Sequence, residues 1–227
     1  MSNNNYFGEG ILFTISDYLI YFFIASIYFW MLNIPFLIYF IFHSINGGGY
    51  SAFILFIVLI PIFPALSALF NVMGKLIREN KINITRDFFS SYKTNFLEAV
   101  KLGIVQSGTI VLLCVYKRYI NSMNNMYFFY YLITCILYIC LAINVYIFSI
   151  LSRFYMKKID IYKLSIYYFI KKPYIGILSL IMIYIFLRIT YSISFIISLI
   201  MISVFCYLLM IFMNNILINL ESRVNRF

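Results

Sequence analysis

Long runs of apolar residues, separated by short polar segments, set the pattern of this chain. A bilayer core of roughly 30 Å is crossed by about 20 apolar helical residues, each of which adds about 1.5 Å. Four runs are long enough to cross once, and the apolar tract from 173 to 213 is so long that it must reverse inside the membrane. The pattern therefore predicts six transmembrane helices, at about 18–42, 52–73, 99–116, 127–151, 173–187 and 195–213.

The reversal in the last tract is predicted at its polar interruption, between 188 and 194. Polar or aromatic residues break the apolar sequence there, and they are Arg188, Thr190, Tyr191, Ser192 and Ser194. Neither Gly nor Pro marks this position. A turn at 188–194 leaves a short fifth span and a sixth span of ordinary length.

Lys and Arg are concentrated in two of the segments between spans. Twelve of the 17 basic residues lie in the connectors that follow spans two and four. Arg223 and Arg226 in the tail belong to the same side, which leaves Lys117, Arg118 and Arg188 on the other. Basic residues gather on the cytoplasmic side of membrane proteins. The sequence therefore predicts an all-α polytopic membrane protein with six spans and both termini in the cytoplasm.

The composition agrees with lipid as the main solvent of the chain. Apolar residues make up 64% of the sequence and charged residues 11%, which no soluble domain of this size would tolerate. The net charge of +10 does not indicate nucleic-acid binding, because the positive residues lie at the predicted membrane edges. The first seventeen residues hold Glu9 and Asp17 but no Lys or Arg, so we expect no cleavable signal peptide and a retained first span.

Side chains that catalyse reactions or bind metals are scarce. No Cys-x-x-Cys or His-rich spacing occurs and His43 is the only histidine, so we expect neither a disulfide nor a metal site. The four cysteines fall inside apolar spans and are Cys114, Cys135, Cys140 and Cys206. Paired membrane carboxylates, a Ser or Cys with a His, and a nucleotide-binding Gly-x-x-x-x-Gly-Lys-Ser/Thr loop are missing. We therefore expect no enzyme activity and no cofactor.

Both basic connectors are predicted to be cytoplasmic amphipathic helices, at about 85–98 and 159–171, with Thr85 as the N-cap of the first. An apolar stripe recurs every four residues along the first connector and consists of Phe88, Tyr92, Phe96 and Val100. Such a helix would lie in the membrane interface, attracted to anionic headgroups by about 1 kcal/mol per basic residue. Alternatively, its apolar stripe would dock into a groove of a partner protein.

Small residues in spans two and three predict close helix packing. Gly103 and Ser107 form a small-xxx-small pair in span three. Pro64, Ala65 and Ala68 are the packing positions predicted in span two. The two prolines of that span predict a kink, and the alternative is a broken helix that lines a substrate path.

Two neighbouring segments, 63–79 and 84–99, carry features of a known family. They contain a Pro-Ala-rich stretch, a Lys-x-x-Arg pair and an aromatic helix. In these features the chain resembles the YesL-like family of bacterial membrane proteins of unknown function. The resemblance implies a multi-pass protein of the bacterial plasma membrane, and an accessory role in sugar uptake, because YesL-like members are often encoded beside carbohydrate ABC importers. The residues predicted to contact a partner or lipid are Lys75, Arg78, Arg86, Phe88, Phe89, Tyr92, Lys93, Asn95 and Phe96.

Three functional hypotheses remain open at this point. The first is a noncatalytic accessory protein that assists or regulates a carbohydrate ABC importer by contacting its permease subunits. An autonomous small transporter or channel is indicated by the prolines of span two and by the repeated order of apolar span, basic helix and apolar span. The third is a lipid-interacting scaffold that recruits anionic headgroups to the basic connectors.

Overall fold

The computed structural model describes residues 11–46, 51–79, 81–123, 126–192 and 195–224. Within these ranges the chain forms nine helices and no strand. The helices are α1 (Ile11–Leu32), α2 (Ile34–Asn46), α3 (Ala52–Leu59), α4 (Ile62–Glu79), α5 (Ile84–Asn121), α6 (Tyr127–Arg153), α7 (Lys158–Lys171), α8 (Pro173–Ser192) and α9 (Phe195–Val224).

The predicted first span consists of two helices. α1 and α2 meet at Asn33, with a bend of 73° between Ser16–Leu32 and Ile34–Phe42. Pro35 follows this junction and lacks the amide hydrogen that a continuous helix would use there. The side chain of Asn33 donates a hydrogen bond to the carbonyl of Phe29 (2.7 Å), which satisfies one of the acceptors left free at the end of α1.

The second predicted span is interrupted near its prolines. α3 and α4 are separated at Ile60 and Pro61, while Pro64 lies in the first turn of α4, where a helix needs no amide donor. The two helices still count as one candidate span of 28 residues, Ala52–Glu79. The prolines therefore break the helical hydrogen bonding without turning the chain back.

The first connector and the third span form one helix. α5 runs for 38 residues, or about 57 Å, which is nearly twice the thickness of a bilayer core. This differs from the prediction of a separate interfacial helix at 85–98. The N-cap differs as well, because the side chain of Asn83, and not that of Thr85, accepts a hydrogen bond from the amide of Arg86 (3.3 Å).

The second connector is a helix distinct from the span that follows it. α7 covers the predicted segment 159–171 and meets α8 at Lys172 with a bend of 93°. The hydroxyl of Tyr146 on α6 donates to the carbonyl of Lys172 (2.7 Å) and accepts from the amide of Gly176 (3.0 Å). These two hydrogen bonds tie the bend to the bundle and cap the first turn of α8.

The turn predicted at 188–194 is mostly helical. α8 continues through Arg188 to Ser192, and at 20 residues, or about 30 Å, it is long enough to cross a bilayer core. Arg188 is exposed near the end of α8, where a long basic side chain can reach water without breaking the helix. The predicted turn residue Ser194 lies outside the described residues.

The length and composition of the helices agree with a multi-pass membrane protein. Four helical segments are long and apolar enough to cross a bilayer, and the number rises to six if each of the two bent pairs is one span. The described residues therefore form an all-helical bundle with four to six candidate spans.

α4 occupies the centre of the bundle and packs against α5, α6 and α9. The predicted packing residues Pro64, Ala65 and Ala68 are all buried on this helix. On α5, Ser107 is buried and its hydroxyl donates to the carbonyl of Ile104 (3.1 Å). Gly103 faces Phe63 of α4, and a Cβ built on this glycine would lie 2.7 Å from ring atom Cδ2. The helices can approach this closely because Gly103 has no side chain, so that Phe63 packs directly on the backbone of α5.

Candidate functional site

A polar furrow lies between α4, α5 and the end of α6. Its volume is about 300 Å³. The polar residues that line it are Asn71, Lys75, Asp87, Ser90, Ser91, Thr94, Asn95, Ser152 and Arg153. We call this cavity, with these residues, the polar furrow. It is the place where the basic ends of several helices come together.

One wall of the polar furrow is a polar stripe on α5. Asp87, Ser91 and Asn95 follow one another at four-residue spacing and therefore lie on one face of the helix. The sequence analysis missed this stripe. Its spacing is the same as that of the aromatic stripe at Phe88 and Tyr92, offset by one residue, so the signal for it was the recurrence of polar residues every four positions.

An ion pair holds α4 and α5 together at the furrow. Lys75 Nζ lies 2.8 Å from Asp87 Oδ1 and 3.7 Å from Glu79 Oε2. The second carboxylate oxygen of Asp87 and the hydroxyl of Ser91 are buried and have no hydrogen-bond partner among the described residues. Buried polar atoms of this kind require a partner such as water or a bound molecule. The furrow can therefore accept hydrogen bonds from a small polar molecule.

Polar contacts of α6 fix the opposite wall. The Asn71 side chain donates to the carbonyl of Ser152 across the α4–α6 contact. Arg153 Nη2 lies 2.5 Å from Glu221 Oε2, and Arg153 Nη1 donates to Asn214 Oδ1 (3.4 Å). Because Glu221 and Asn214 belong to α9, the last helix is joined to the furrow through a single guanidinium.

Several residues predicted to contact a partner are already engaged within the protein. Phe88 is 0% exposed and packs against the ring of Tyr28, with 5.7 Å between centroids. It cannot touch a partner, and this corrects the prediction. Asn95 is also buried, in the wall of the polar furrow, and Lys75 is held by Asp87. These residues face inward because α5 packs along α4 through its first half as well as through its apolar half.

The remaining predicted residues of α5 form a surface. Arg86, Phe89, Lys93 and Phe96 are exposed, and Leu97, which the sequence analysis did not single out, is exposed beside them. Phe89 is 41% exposed and Phe96 is 39% exposed. Their spacing places all five on one side of α5, away from the polar furrow. We call these five residues the α5 ridge. Tyr92 is half-buried between the ridge and the core, and Arg78 is exposed at the end of α4.

The described residues hold no group of three or more His, Cys, Asp or Glu side chains that could bind a metal ion. The polar furrow is lined by one carboxylate, one lysine, one arginine, two asparagines and several hydroxyl groups, and no histidine lines it. This set of side chains can bind a polar molecule through hydrogen bonds.

Residues 13–116 match the model of a family described as a protein of unknown function, DUF624. The match supports a likeness to this uncharacterised family, in which YesL-like proteins are grouped, over most of α1 to α5. The matched residues include the α5 ridge and the α4 and α5 walls of the polar furrow, but not the end of α6. No curated protein and no solved structure matches the chain.

Proposed function

We propose that this chain, whose first half matches a family of unknown function, is a noncatalytic accessory membrane protein of the bacterial plasma membrane. In this proposal the α5 ridge binds another integral membrane protein. The observation that supports it most directly is the exposure of two phenylalanines, Phe89 and Phe96, which alternate along α5 with the basic residues Arg86 and Lys93.

In this proposal the ridge lies outside the hydrocarbon, and the length of α5 supports this. The 21 residues from Lys101 to Asn121 extend about 30 Å, enough for one crossing. The preceding part of α5 therefore projects about 25 Å beyond the span. Arg86 and Lys93 suit headgroups and water, but the ring of Phe89 gains nothing from exposure there. Aromatic residues and Arg are enriched in protein–protein interfaces, so we expect the surface of another protein to bury the exposed ring of Phe89.

The partner we propose is a permease subunit of a carbohydrate ABC importer. This choice rests on the resemblance to YesL-like proteins. It is compatible with the sequence, which has no nucleotide-binding loop, so that ATP hydrolysis would belong to the importer.

The ridge is tested by the double substitution Phe89→Ser/Phe96→Ser. Affinity purification of the tagged wild-type protein in mild detergent, at native expression, should recover an importer permease. The double variant should recover at least about tenfold less, because the loss of central aromatic contacts commonly weakens an interface by more than 1 kcal/mol.

Tyr167→Ser is the matched control. Tyr167 is an exposed aromatic residue on α7, and it lies outside both the ridge and the polar furrow. This variant should recover as much permease as the wild type. Recovery of the wild-type protein alone, or equal recovery with the double variant, would contradict the proposal.

We propose further that both termini, the α5 ridge and α7 lie on the cytoplasmic side of six spans. The 93° bend supports this for α7, because a helix perpendicular to a crossing α8 lies along the membrane surface. Lys157, Lys158 and Lys163 would then meet anionic headgroups. The continuous α5 does not suit the same role, since its first half projects away from the surface.

Orientation can be measured by thiol labelling in a cysteine-free background. The single substitutions are Lys81→Cys, Lys163→Cys and Asn219→Cys, and each replaces an exposed residue. An impermeant maleimide applied to sealed inside-out vesicles should label all three, and it should label none of them in intact cells. Labelling of Lys81→Cys and Asn219→Cys from opposite compartments would refute the even number of spans.

A further inference from the structure

An apolar groove lies at the other end of α5, far from the polar furrow. α3, the last turns of α5 and the start of α6 enclose about 580 Å³. This volume is within the range of small-molecule binding sites. The apolar side chains that line it are Leu55, Leu59, Ile110, Val111 and Val115.

The groove changes from polar to apolar along its length. Lys117, Arg118 and Asn121 line it at the end of α5, and Ile110 lies about 10 Å deeper along that helix. α3 packs against α5, and Phe56 of α3 is the side chain nearest to Gly108, so Leu59 belongs to the deep end of the groove. The cavity is therefore cationic at its mouth and aliphatic below.

The two cations at the mouth have no carboxylate of a described residue within salt-bridge distance. Neither Lys117 nor Arg118 forms a salt bridge with any described residue. On α5 the nearest acidic residue is Glu98, 19 positions before Lys117 and so about 28 Å away along the helix. α6 carries no acidic residue, and the only one on α3 and α4 is Glu79 at the far end.

The position of Lys117 keeps its charge at the mouth. Its Nζ lies 5.0 Å from the centroid of the Tyr130 ring on α6, across the groove from α5. Arg118 is exposed beside it. Two positive groups thus border an aliphatic cavity in a region where the described protein supplies no negative charge to balance them.

We propose that this groove binds an acidic phospholipid from the leaflet opposite the α5 ridge. The phosphate would accept hydrogen bonds from Lys117 and Arg118, and the upper part of an acyl chain would cover Val111 and Val115. A zwitterionic choline headgroup adds a third cation at the mouth and is therefore a poorer match. The proposal concerns a different end of the molecule from the α5 ridge and α7, and it stands without the proposed importer partner.

Photocrosslinking tests the proposal on the full-length protein. The protein is reconstituted in phosphatidylcholine vesicles that contain a small fraction of phosphatidylglycerol with a diazirine near the headgroup end of its acyl chain. We expect adducts, mapped by mass spectrometry, to concentrate on the groove residues, and excess phosphatidylglycerol to suppress them. K117Q/R118Q should lower the adduct yield about tenfold, because each basic residue near an anionic headgroup raises affinity about fivefold at most.

A second variant distinguishes binding of the lipid inside the groove from nonspecific electrostatic attraction of anionic lipid to the protein. V115W fills the groove without changing its charge and should also lower the yield at the groove. Leu112 is exposed on the same helix but does not line the groove, so L112W is its matched control and should leave the yield unchanged. K171Q/K172Q, which removes two cations at the other end of the bundle, should likewise have no effect. Adducts spread evenly over the lipid-facing helices, or an unchanged yield with K117Q/R118Q, would overturn the proposal.

Discussion

Replacing Tyr146 by phenylalanine should lower the free energy of unfolding by about 3 kcal/mol. The hydroxyl of this fully buried residue serves two backbone groups at once, the carbonyl of Lys172 and the amide of Gly176. Phenylalanine keeps the ring and its edge contact with Phe169, so no large cavity forms. The loss comes from two backbone groups that are left without their partner at the bend between α7 and α8.

Tyr138→Phe on the same helix is the control for this substitution. Tyr138 is 48% exposed, and its hydroxyl makes no hydrogen bond to a described residue, so we expect a change below about 0.5 kcal/mol. Both variants can be compared by reversible unfolding in mixed micelles, followed by circular dichroism. Equal stabilities of Tyr146→Phe and wild type would mean that the Tyr146 hydroxyl does not hold the bend.

Gly103→Ala is expected to destabilise the protein by about 2 kcal/mol, although alanine is the better helix former. The added Cβ would stand 2.7 Å from Phe63 Cδ2 and 3.0 Å from Phe63 Cβ. Phe63 cannot move aside easily, because it is buried and its ring stacks on Phe148 with 5.0 Å between centroids. α4 and α5 must therefore separate slightly along their whole contact.

Gly108→Ala, five residues further along α5, provides a matched comparison. The Cβ of that variant would lie 3.8 Å from Phe56, which is ordinary van der Waals contact. We expect this variant to be as stable as the wild type or slightly more stable, through helix propensity alone. If the unfolding assay ranks Gly103→Ala equal to Gly108→Ala, the close approach of α4 and α5 is incorrect.

The periodicity of apolar residues in α5 predicts its helical structure but not which of its faces is buried. The apolar stripe of Phe88, Tyr92 and Phe96 predicts correctly that this part of α5 is helical, but it does not tell which side is covered. Phe88 lies in the core and Phe96 lies on the surface, although both belong to the same stripe. Burial depends on where α4 and α1 lie, and the spacing of residues within one helix carries no information about that.

The polar furrow was outside the reach of sequence reasoning for a related reason. Asp87 and Ser91 lie near the start of α5, whereas Asn71 belongs to α4 and Arg153 is the last residue of α6. Each of these residues taken alone looks like an ordinary polar position near a membrane edge. Only the packing of α6 against α4 and α5 brings them around one cavity.

By itself the sequence determined the membrane class, the positions of the apolar segments and the ends at which charge collects. These properties are local, because the free energy of transferring a segment into lipid is the sum of contributions from its own side chains. The tertiary structure decided the continuity of α5, the bend at Lys172 and the assignment of inner and outer faces. These features depend on hydrogen bonds and contacts between segments distant in the chain, such as Tyr146 with Lys172 and Gly103 with Phe63, which no local pattern encodes.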